Sequence, residues 1–137
     1  MRRVWLVWWA WVALASGGAA CGEGGEPLAE YFTVSGTLTS ISHDASGRNA
    51  YLRLVSGTPE TTMSESGTRF AGARAEFLMR LVPAGSYTLH AFVDMDGNAS
   101  SADPVASSGD LVSPGRSLSV YSNVRADIAD DAWSLMP

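Results

Sequence analysis

The sequence predicts an all-β fold, an antiparallel β-sandwich of about seven strands that follows an N-terminal signal segment. Three observations favour this fold class. Short segments alternate apolar and polar residues with period 2, glycine- and proline-rich turns separate them, and no segment has helical periodicity. About 100 residues with this pattern bury one sheet against another. A closed barrel is the alternative, and the sequence does not separate the two.

The chain opens with the pattern of a secretory signal. Arg2 and Arg3 precede an unbroken apolar run from Val4 to Ala15, and small residues follow it. As a helix this run would be about 18 Å long, whereas a bilayer core is about 30 Å thick. We therefore interpret residues 1–20 as a signal peptide that is removed.

The end of this segment, Gly18-Ala19-Ala20-Cys21, resembles a bacterial lipobox. The resemblance implies that Cys21 is lipidated, becomes the new N-terminus, and anchors a lipoprotein of the cell envelope in a membrane. Gly22 stands where an aspartate would retain such a protein at the inner membrane, so the resemblance favours the outer membrane. The alternative is ordinary secretion with cleavage after Ala20 and a free Cys21.

The mature chain divides into a tether and one domain. Residues 21–30 hold Cys21 and a glycine-rich flexible tether, and residues 31–137 form the predicted β-sandwich. Removal of Arg2 and Arg3 leaves seven arginines against 14 acidic residues, a formal charge of −7, and the chain has no lysine. This charge argues against nucleic acid and anionic lipid as partners, because both bind positive surfaces.

Five segments have strand periodicity, with β-branched residues in several of them. The predicted strands are 32–41, 50–55, 75–82, 86–94 and 116–129. Gly36 interrupts the first strand and indicates a bulge. The last segment is long for one strand, so we expect it to bend near Ser122.

Turn chemistry predicts how these strands connect. Pro83-Ala84-Gly85-Ser86 separates the third and fourth strands and predicts a hairpin between them. The segment 56–72 is weakly patterned, and we interpret it as a long loop with a short edge strand at 68–70. The polar segment 94–115 is a second long loop with a brief strand at Leu111-Val112, and Trp133 is expected to fold back onto the core.

The segment from Val82 to Phe92 resembles a recurrent piece of prealbumin-like (transthyretin-like) sandwiches, which also occurs in the regulatory domains of metallocarboxypeptidases. Its continuation to Asn98 is similar to small periplasmic sandwich domains with an aspartate-rich loop after the strand. The resemblance implies a prealbumin-like or immunoglobulin-like sandwich in the envelope. It does not imply catalysis.

The aspartate-rich loop is the candidate metal site. Asp94, Asp96 and Asn98 alternate along the chain, and Asp103 and Asp110 follow. Alternating oxygen ligands suit Ca²⁺, so we assign Asp94, Asp96, Asn98 and Asp103 as candidate ligands. The competing interpretation is that the aspartate, glycine and asparagine simply form a turn, with the other acids in solvent.

Catalytic motifs are absent from the sequence. The two histidines, His43 and His90, lack the spacing of a zinc site, and no Gly-x-Ser-x-Gly occurs. We therefore predict a noncatalytic, lipid-anchored module that binds or scaffolds a protein, glycan or small ligand, with calcium as a stabilising ion. Tyr51, Phe70 and Tyr121 are candidate aromatic platforms, and the loops 43–49, 57–73 and 94–115 are candidate specificity loops. The alternative is a small envelope hydrolase or enzyme accessory that uses a carboxylate pair in the aspartate-rich loop.

Overall fold

Strands dominate the described part of the chain, which in this computed structural model is residues 29–137. The predicted signal segment 1–20, Cys21 and the tether as far as residue 28 lie outside the described residues. The nine strands are β1 (Tyr31–Thr39), β2 (Asn49–Ser56), β3 (Thr61–Arg69), β4 (Arg74–Pro83), β5 (Gly85–Asp94), β6 (Leu111–Val112), β7 (Arg116–Val120), β8 (Val124–Arg125) and β9 (Ser134–Leu135). Within this part of the chain, no helix is long and apolar enough to span a bilayer.

The strands form two sheets with the core between them. In the smaller sheet, β1 lies between β4, which is antiparallel to it, and β8, which is parallel. In the larger sheet the order is β3-β2-β5, and the other side of β5 pairs first with β7 and then with β6, which carries β9. One cluster of buried apolar side chains fills the space between the sheets. The all-β sandwich expected from the sequence is confirmed.

The predicted hairpin between the third and fourth strands is wrong. β4 pairs with β1, and β5 pairs with β2, so Pro83–Gly85 carries the chain from the smaller sheet to the larger one. The hydroxyl of Tyr87 donates a hydrogen bond to the Pro83 carbonyl oxygen at 2.6 Å and closes this crossing. Period-2 alternation shows which face of a strand is buried, but it does not identify the strand's partner.

Most of the segment predicted as a long loop is β3. None of its side chains is fully buried, because it is a polar edge strand that pairs only with β2. Hydroxyl groups join it to the smaller sheet: Thr68 Oγ1 donates to the Glu76 carbonyl at 2.6 Å, and Ser66 Oγ donates to the Leu78 carbonyl at 3.2 Å. Hydrophobic alternation cannot find a strand that buries neither face.

The irregularity along β1 lies nearer the start of the strand than the sequence predicts. Its register with β4 shifts between Phe32 and Val34. Gly36 serves a different purpose, because a Cβ at this position would collide with the Ala126 carbonyl and lie 2.8 Å from the ring of Phe77. The glycine lets β8 approach β1 closely.

The C-terminal segment agrees with the sequence prediction. β7 ends at Val120 and β8 begins at Val124, so the chain bends around Ser122 as expected. Trp133 is buried, and its Nε1–H donates a hydrogen bond to the Thr39 carbonyl at 2.8 Å. The tail therefore returns to the core and closes one end of the smaller sheet.

Candidate functional site

An open groove of about 260 Å³ lies on the outer face of the larger sheet. Tyr51 in β2 and Phe92 in β5 are register partners, and their ring centroids are 5.3 Å apart. Their neighbours Leu52 and Ala91 are buried in the core, so strand alternation directs both rings outward. The groove thus has a floor of two adjacent aromatic rings.

The walls of the groove come from β6 and from the loop before it. Val112 pairs with Phe92 across the β5–β6 ladder. Pro104, Val105 and Ala106 line the opposite side, and Val105 is largely exposed. An apolar lining with a few polar groups at its edge is the usual composition of a ligand site.

Charged side chains form one end of the groove. Arg53 and His90 are register partners next to the aromatic pair. Arg53 Nε lies 3.0 Å from Glu65 Oε1, Arg53 Nη2 lies 3.8 Å from Asp103 Oδ1, and His90 Nε2 lies 3.7 Å from Glu60 Oε2. Three carboxylates accompany one arginine, so this end carries a net negative charge even if His90 is protonated.

A second group of side chains lies in the loop between β5 and β6, where two buried aspartates stand at the two ends. Asp94 is 2% exposed, and its carboxylate accepts hydrogen bonds from the backbone N–H groups of Gly97, Asn98 and Ala99 at 3.0, 3.2 and 3.0 Å. These bonds wrap the first part of the loop around one carboxylate.

Asp110 does the same for the end of the loop. It is fully buried, and it accepts hydrogen bonds from the backbone N–H groups of Met95 at 2.9 Å and Ser107 at 2.8 Å. The amides solvate both buried carboxylates in place of water. The loop conformation therefore depends on the two carboxylates as hydrogen-bond acceptors.

The structure brings together a set of carboxylates that overlaps the predicted metal ligands. Oxygens of Asp94, Asp96 and Asp110 all lie within 4.8 Å of one another. Asn98 instead exchanges hydrogen bonds with the Ser107 side chain, and Asp103 lies beside Arg53 at the groove. The sequence prediction does not include Asp110 among the candidate ligands, because it lies far beyond Asp94 along the chain and only the folding of the loop brings the two together.

This carboxylate cluster fits a hard divalent cation. Ca²⁺ takes six to eight oxygen ligands, and a carboxylate offers about four lone-pair sites. Asp94 accepts three backbone amide hydrogen bonds, and Asp110 accepts two together with one from the Ser107 hydroxyl. Exposed Asp96 keeps one oxygen without a hydrogen bond among the described residues. Three carboxylates and water would complete a site of loose affinity, in the range of extracellular modules.

Asp127 and Asp130, which lie outside this cluster, have lowered pKa values because they accept hydrogen bonds within the fold. The Thr37 backbone N–H, which donates to Asp127 Oδ1 at 2.8 Å, holds the pKa of Asp127 below its ordinary value, and Arg125 adds to the effect. The Ser42 hydroxyl and backbone N–H lower the pKa of Asp130 in the same way. Both carboxylates connect the C-terminal segment to β1 or to the turn after it, and neither lines the groove.

The three aromatic platforms predicted from the sequence lie in different places in the structure. Tyr51 lies in the groove, Phe70 is buried in the core, and Tyr121 is exposed beyond the end of β7. No protein-family model, characterised protein or solved structure matches this chain.

Proposed function

We propose that this chain is a lipid-anchored, noncatalytic module of the bacterial envelope that binds a neutral saccharide in the groove. The adjacent rings of Tyr51 and Phe92 are the observation that carries this proposal. The C–H face of a sugar packs on an aromatic ring, and its hydroxyls hydrogen-bond to carboxylates and guanidinium groups. Glu65 and Arg53 supply such groups at the end of the groove.

The charges and the sheet topology argue against other ligand classes. Three carboxylates at the groove disfavour an anionic ligand. β2 and β5 are each paired on both sides, so the floor of the groove has no free strand edge to which a peptide could add. A neutral sugar ring with hydroxyl groups is not repelled by these carboxylates and needs no free strand edge.

The noncatalytic assignment is supported by what the buried carboxylates do. The carboxylate oxygens of Asp94 and Asp110 accept hydrogen bonds from backbone amides and so hold the loop. A hydrolase would need one carboxyl group to protonate a leaving group and another to act as base or nucleophile beside the substrate. The hydrolase or enzyme accessory remains the alternative, and it predicts turnover of the bound saccharide.

The membrane anchor and the calcium ion are further parts of the proposal. The lipobox-like sequence supports lipidation of Cys21 and an outer-membrane location, which mass spectrometry of membrane-extracted protein tests by the acyl mass on that residue. An unmodified Cys21 would contradict the anchor. The cluster of Asp94, Asp96 and Asp110 supports Ca²⁺ as a stabilising ion.

The groove is tested by saccharide titration. The probes are chitotetraose, cellotetraose and maltotetraose, and binding is measured by saturation-transfer NMR and calorimetry. We expect one of them to bind and Tyr51→Ala or Phe92→Ala to weaken it at least tenfold, which corresponds to about 1.4 kcal/mol. Tyr121→Ala is the matched control, because this exposed tyrosine lies outside the groove.

Two results would overturn this assignment. If none of the three saccharides binds, or if the Tyr51→Ala protein binds as tightly as the unmodified one with an unchanged melting temperature, the groove is not the site. The same samples are assayed for new reducing ends over a day. Their release, with loss in Asp94→Asn, would favour the hydrolase.

A further inference from the structure

Leu81 has an unusual backbone conformation. Its φ is 56°, and in residues 29–137 every other residue with positive φ is a glycine. Left-handed backbone is costly for a bulky side chain and is found where surrounding structure holds it in place. Leu81 occupies the bulge between β4 and β1, where the extra residue reverses the alternation that would otherwise bury it.

The bulge exposes Leu81 and gives its buried place to Val82. Leu81 is 77% exposed and Val82 is 0% exposed, whereas Phe77 and Met79 keep the inward positions before them. Alternation along β4 predicts that Leu81 lies on the same face as Phe77 and Met79, and the bulge makes that prediction wrong. An apolar side chain held outward at a conformational cost indicates a surface with a partner.

Leu81 belongs to an apolar patch at the start of the domain. Tyr31 is 54% exposed and Leu78 is 44% exposed, and both line the same shallow depression as Leu81 and Arg80. We call these four residues, Tyr31, Leu78, Arg80 and Leu81, the β1–β4 patch. Exposed Glu30 precedes Tyr31, and exposed Glu76 lies two residues before Leu78. Arg125 lines the neighbouring depression with Leu78 but is paired with Asp127 at 3.1 Å, so the patch lacks a net positive charge.

The chain leaves the domain at this patch. Tyr31 is the first residue of β1, and the Glu30 carbonyl accepts a hydrogen bond from the Ala84 backbone N–H at 3.2 Å, which fixes the exit beside the end of β4. Nine residues separate Tyr31 from Cys21. A chain of nine residues spans at most about 30 Å.

We propose that the β1–β4 patch rests on the surface of the membrane that holds the Cys21 lipid, with Leu78, Leu81 and Tyr31 inserted among neutral lipids. This inference rests on the proposed anchor. The short tether keeps the patch close to the bilayer, and the lack of net positive charge makes the contact apolar rather than electrostatic. Because the patch lies on the smaller sheet, the groove on the larger sheet faces away from the membrane.

Vesicle partition tests this proposal without the leader or the lipid. The protein is the chain from residue 21 with Cys21→Ser, which contains both described sheets and their core. The vesicles are phosphatidylcholine and phosphatidylethanolamine at 1:1, and bound protein is measured against lipid concentration by flotation. We expect Leu81→Gly to lower the partition coefficient about fivefold to tenfold.

The Leu81→Gly variant separates binding from folding. Glycine favours a φ of 56°, so the melting temperature should stay the same or rise while vesicle binding falls. Ile41→Ser is the matched control. Ile41 is 73% exposed and lies two residues beyond the other end of β1, a strand about 26 Å long. Its partition should stay within twofold of the unmodified protein.

Three outcomes would overturn the proposal: no partition of the unmodified chain, equal partition of Leu81→Gly, or equal loss in Ile41→Ser. A concentration-dependent dimer that Leu81→Gly dissolves would overturn it as well, by assigning the patch to a second copy of this chain. Native protein with an unmodified Cys21 would also overturn it, because the proposal names the membrane that holds the Cys21 lipid. This failure of the anchor is distinguished from a failure of the patch, because partition is measured without the lipid.

Discussion

Gly36→Ala should destabilise the domain strongly, because the two strands on either side of it leave no room for a methyl group. The new Cβ would lie 2.7 Å from the Ala126 carbonyl carbon and 2.8 Å from the Phe77 ring. Overpacking of this kind costs about 1–3 kcal/mol. If β8 moves away instead, the bonds from Ala126 N–H to Ser35 and from Ile128 N–H to Thr37 lengthen, at about 1 kcal/mol each.

Either response predicts that the free energy of unfolding falls by about 1–3 kcal/mol, a substantial part of the usual 5–15 kcal/mol. Urea denaturation measures this change. Trp133 is the single tryptophan after residue 20 and is buried, so its fluorescence reports unfolding of the mature chain. At a slope of about 1.5 kcal/mol per molar urea, the midpoint should fall by roughly 0.7–2 M.

Gly67→Ala in β3 is the matched control for the same substitution. Its Cβ would meet nothing closer than the Tyr51 ring at 3.7 Å, an ordinary contact. Alanine loses less conformational freedom than glycine in a strand, so this variant should be neutral or more stable by about 0.5–1 kcal/mol. The reasoning fails if Gly36→Ala costs no more than an ordinary surface substitution, about 0.5 kcal/mol, or if both variants are equally destabilised.

Two further predictions concern charge. Ca²⁺ at 10 mM should raise the melting temperature by about 4–6 °C relative to EDTA if its dissociation constant is near 1 mM. Asp96→Asn should abolish this rise, whereas Asp103→Asn should retain it. If calcium leaves the melting temperature of the unmodified protein unchanged, Asp94 and Asp110 only hold the loop. The lowered pKa of Asp127 adds stability that is present above the ordinary aspartate pKa of about 3.9 and is lost as the pH falls through the folded-state value. Melts between pH 2 and 5 should therefore fall less steeply in Asp127→Asn, and parallel curves would refute this.

Strand positions could be predicted from the sequence wherever a strand has one buried and one exposed face. Leu52 and Leu54 in β2, and Leu89 and Val93 in β5, are buried as their alternation predicts. Partner choice could not be predicted in the same way. The Pro83–Gly85 turn suits a hairpin, yet β4 pairs with β1 and β5 pairs with β2, so the two strands enter different sheets.

The groove and the carboxylate cluster depend on contacts that are distant in sequence. Tyr51 and Phe92 lie in strands that two others separate along the chain, and they meet only through the β2–β5 register. Asp110 joins Asp94 because backbone amides of the intervening loop turn toward both carboxylates. Spacing along the chain therefore grouped Asp94 and Asp96, which lie in one turn and close together in the structure, but it could not show that the loop carries Asp103 to Arg53.

One loop connects the carboxylate cluster to the groove, so the proposed cation and the proposed saccharide are expected to bind cooperatively. Asp94 and Asp110 hold the ends of the loop, and its middle supplies Pro104 and Val105 to the groove wall. A cation between the carboxylates removes a repulsion of about 3 kcal/mol, the Coulomb energy at 4.8 Å with an effective dielectric constant of about 20. Saccharide binding then has a smaller entropic cost, because the loop that forms the wall is already ordered.

A coupling of about 1 kcal/mol would make saccharide binding roughly fivefold tighter in calcium than in EDTA, and thermodynamic linkage requires the saccharide to tighten calcium binding by the same factor. Calorimetric titration in both orders measures the two factors. Asp96→Asn should remove both, since it weakens the cation site without touching the groove. If calcium binds while saccharide affinity stays constant, the loop is equally ordered without the ion, and the backbone amides around Asp94 and Asp110 alone are enough to shape the wall.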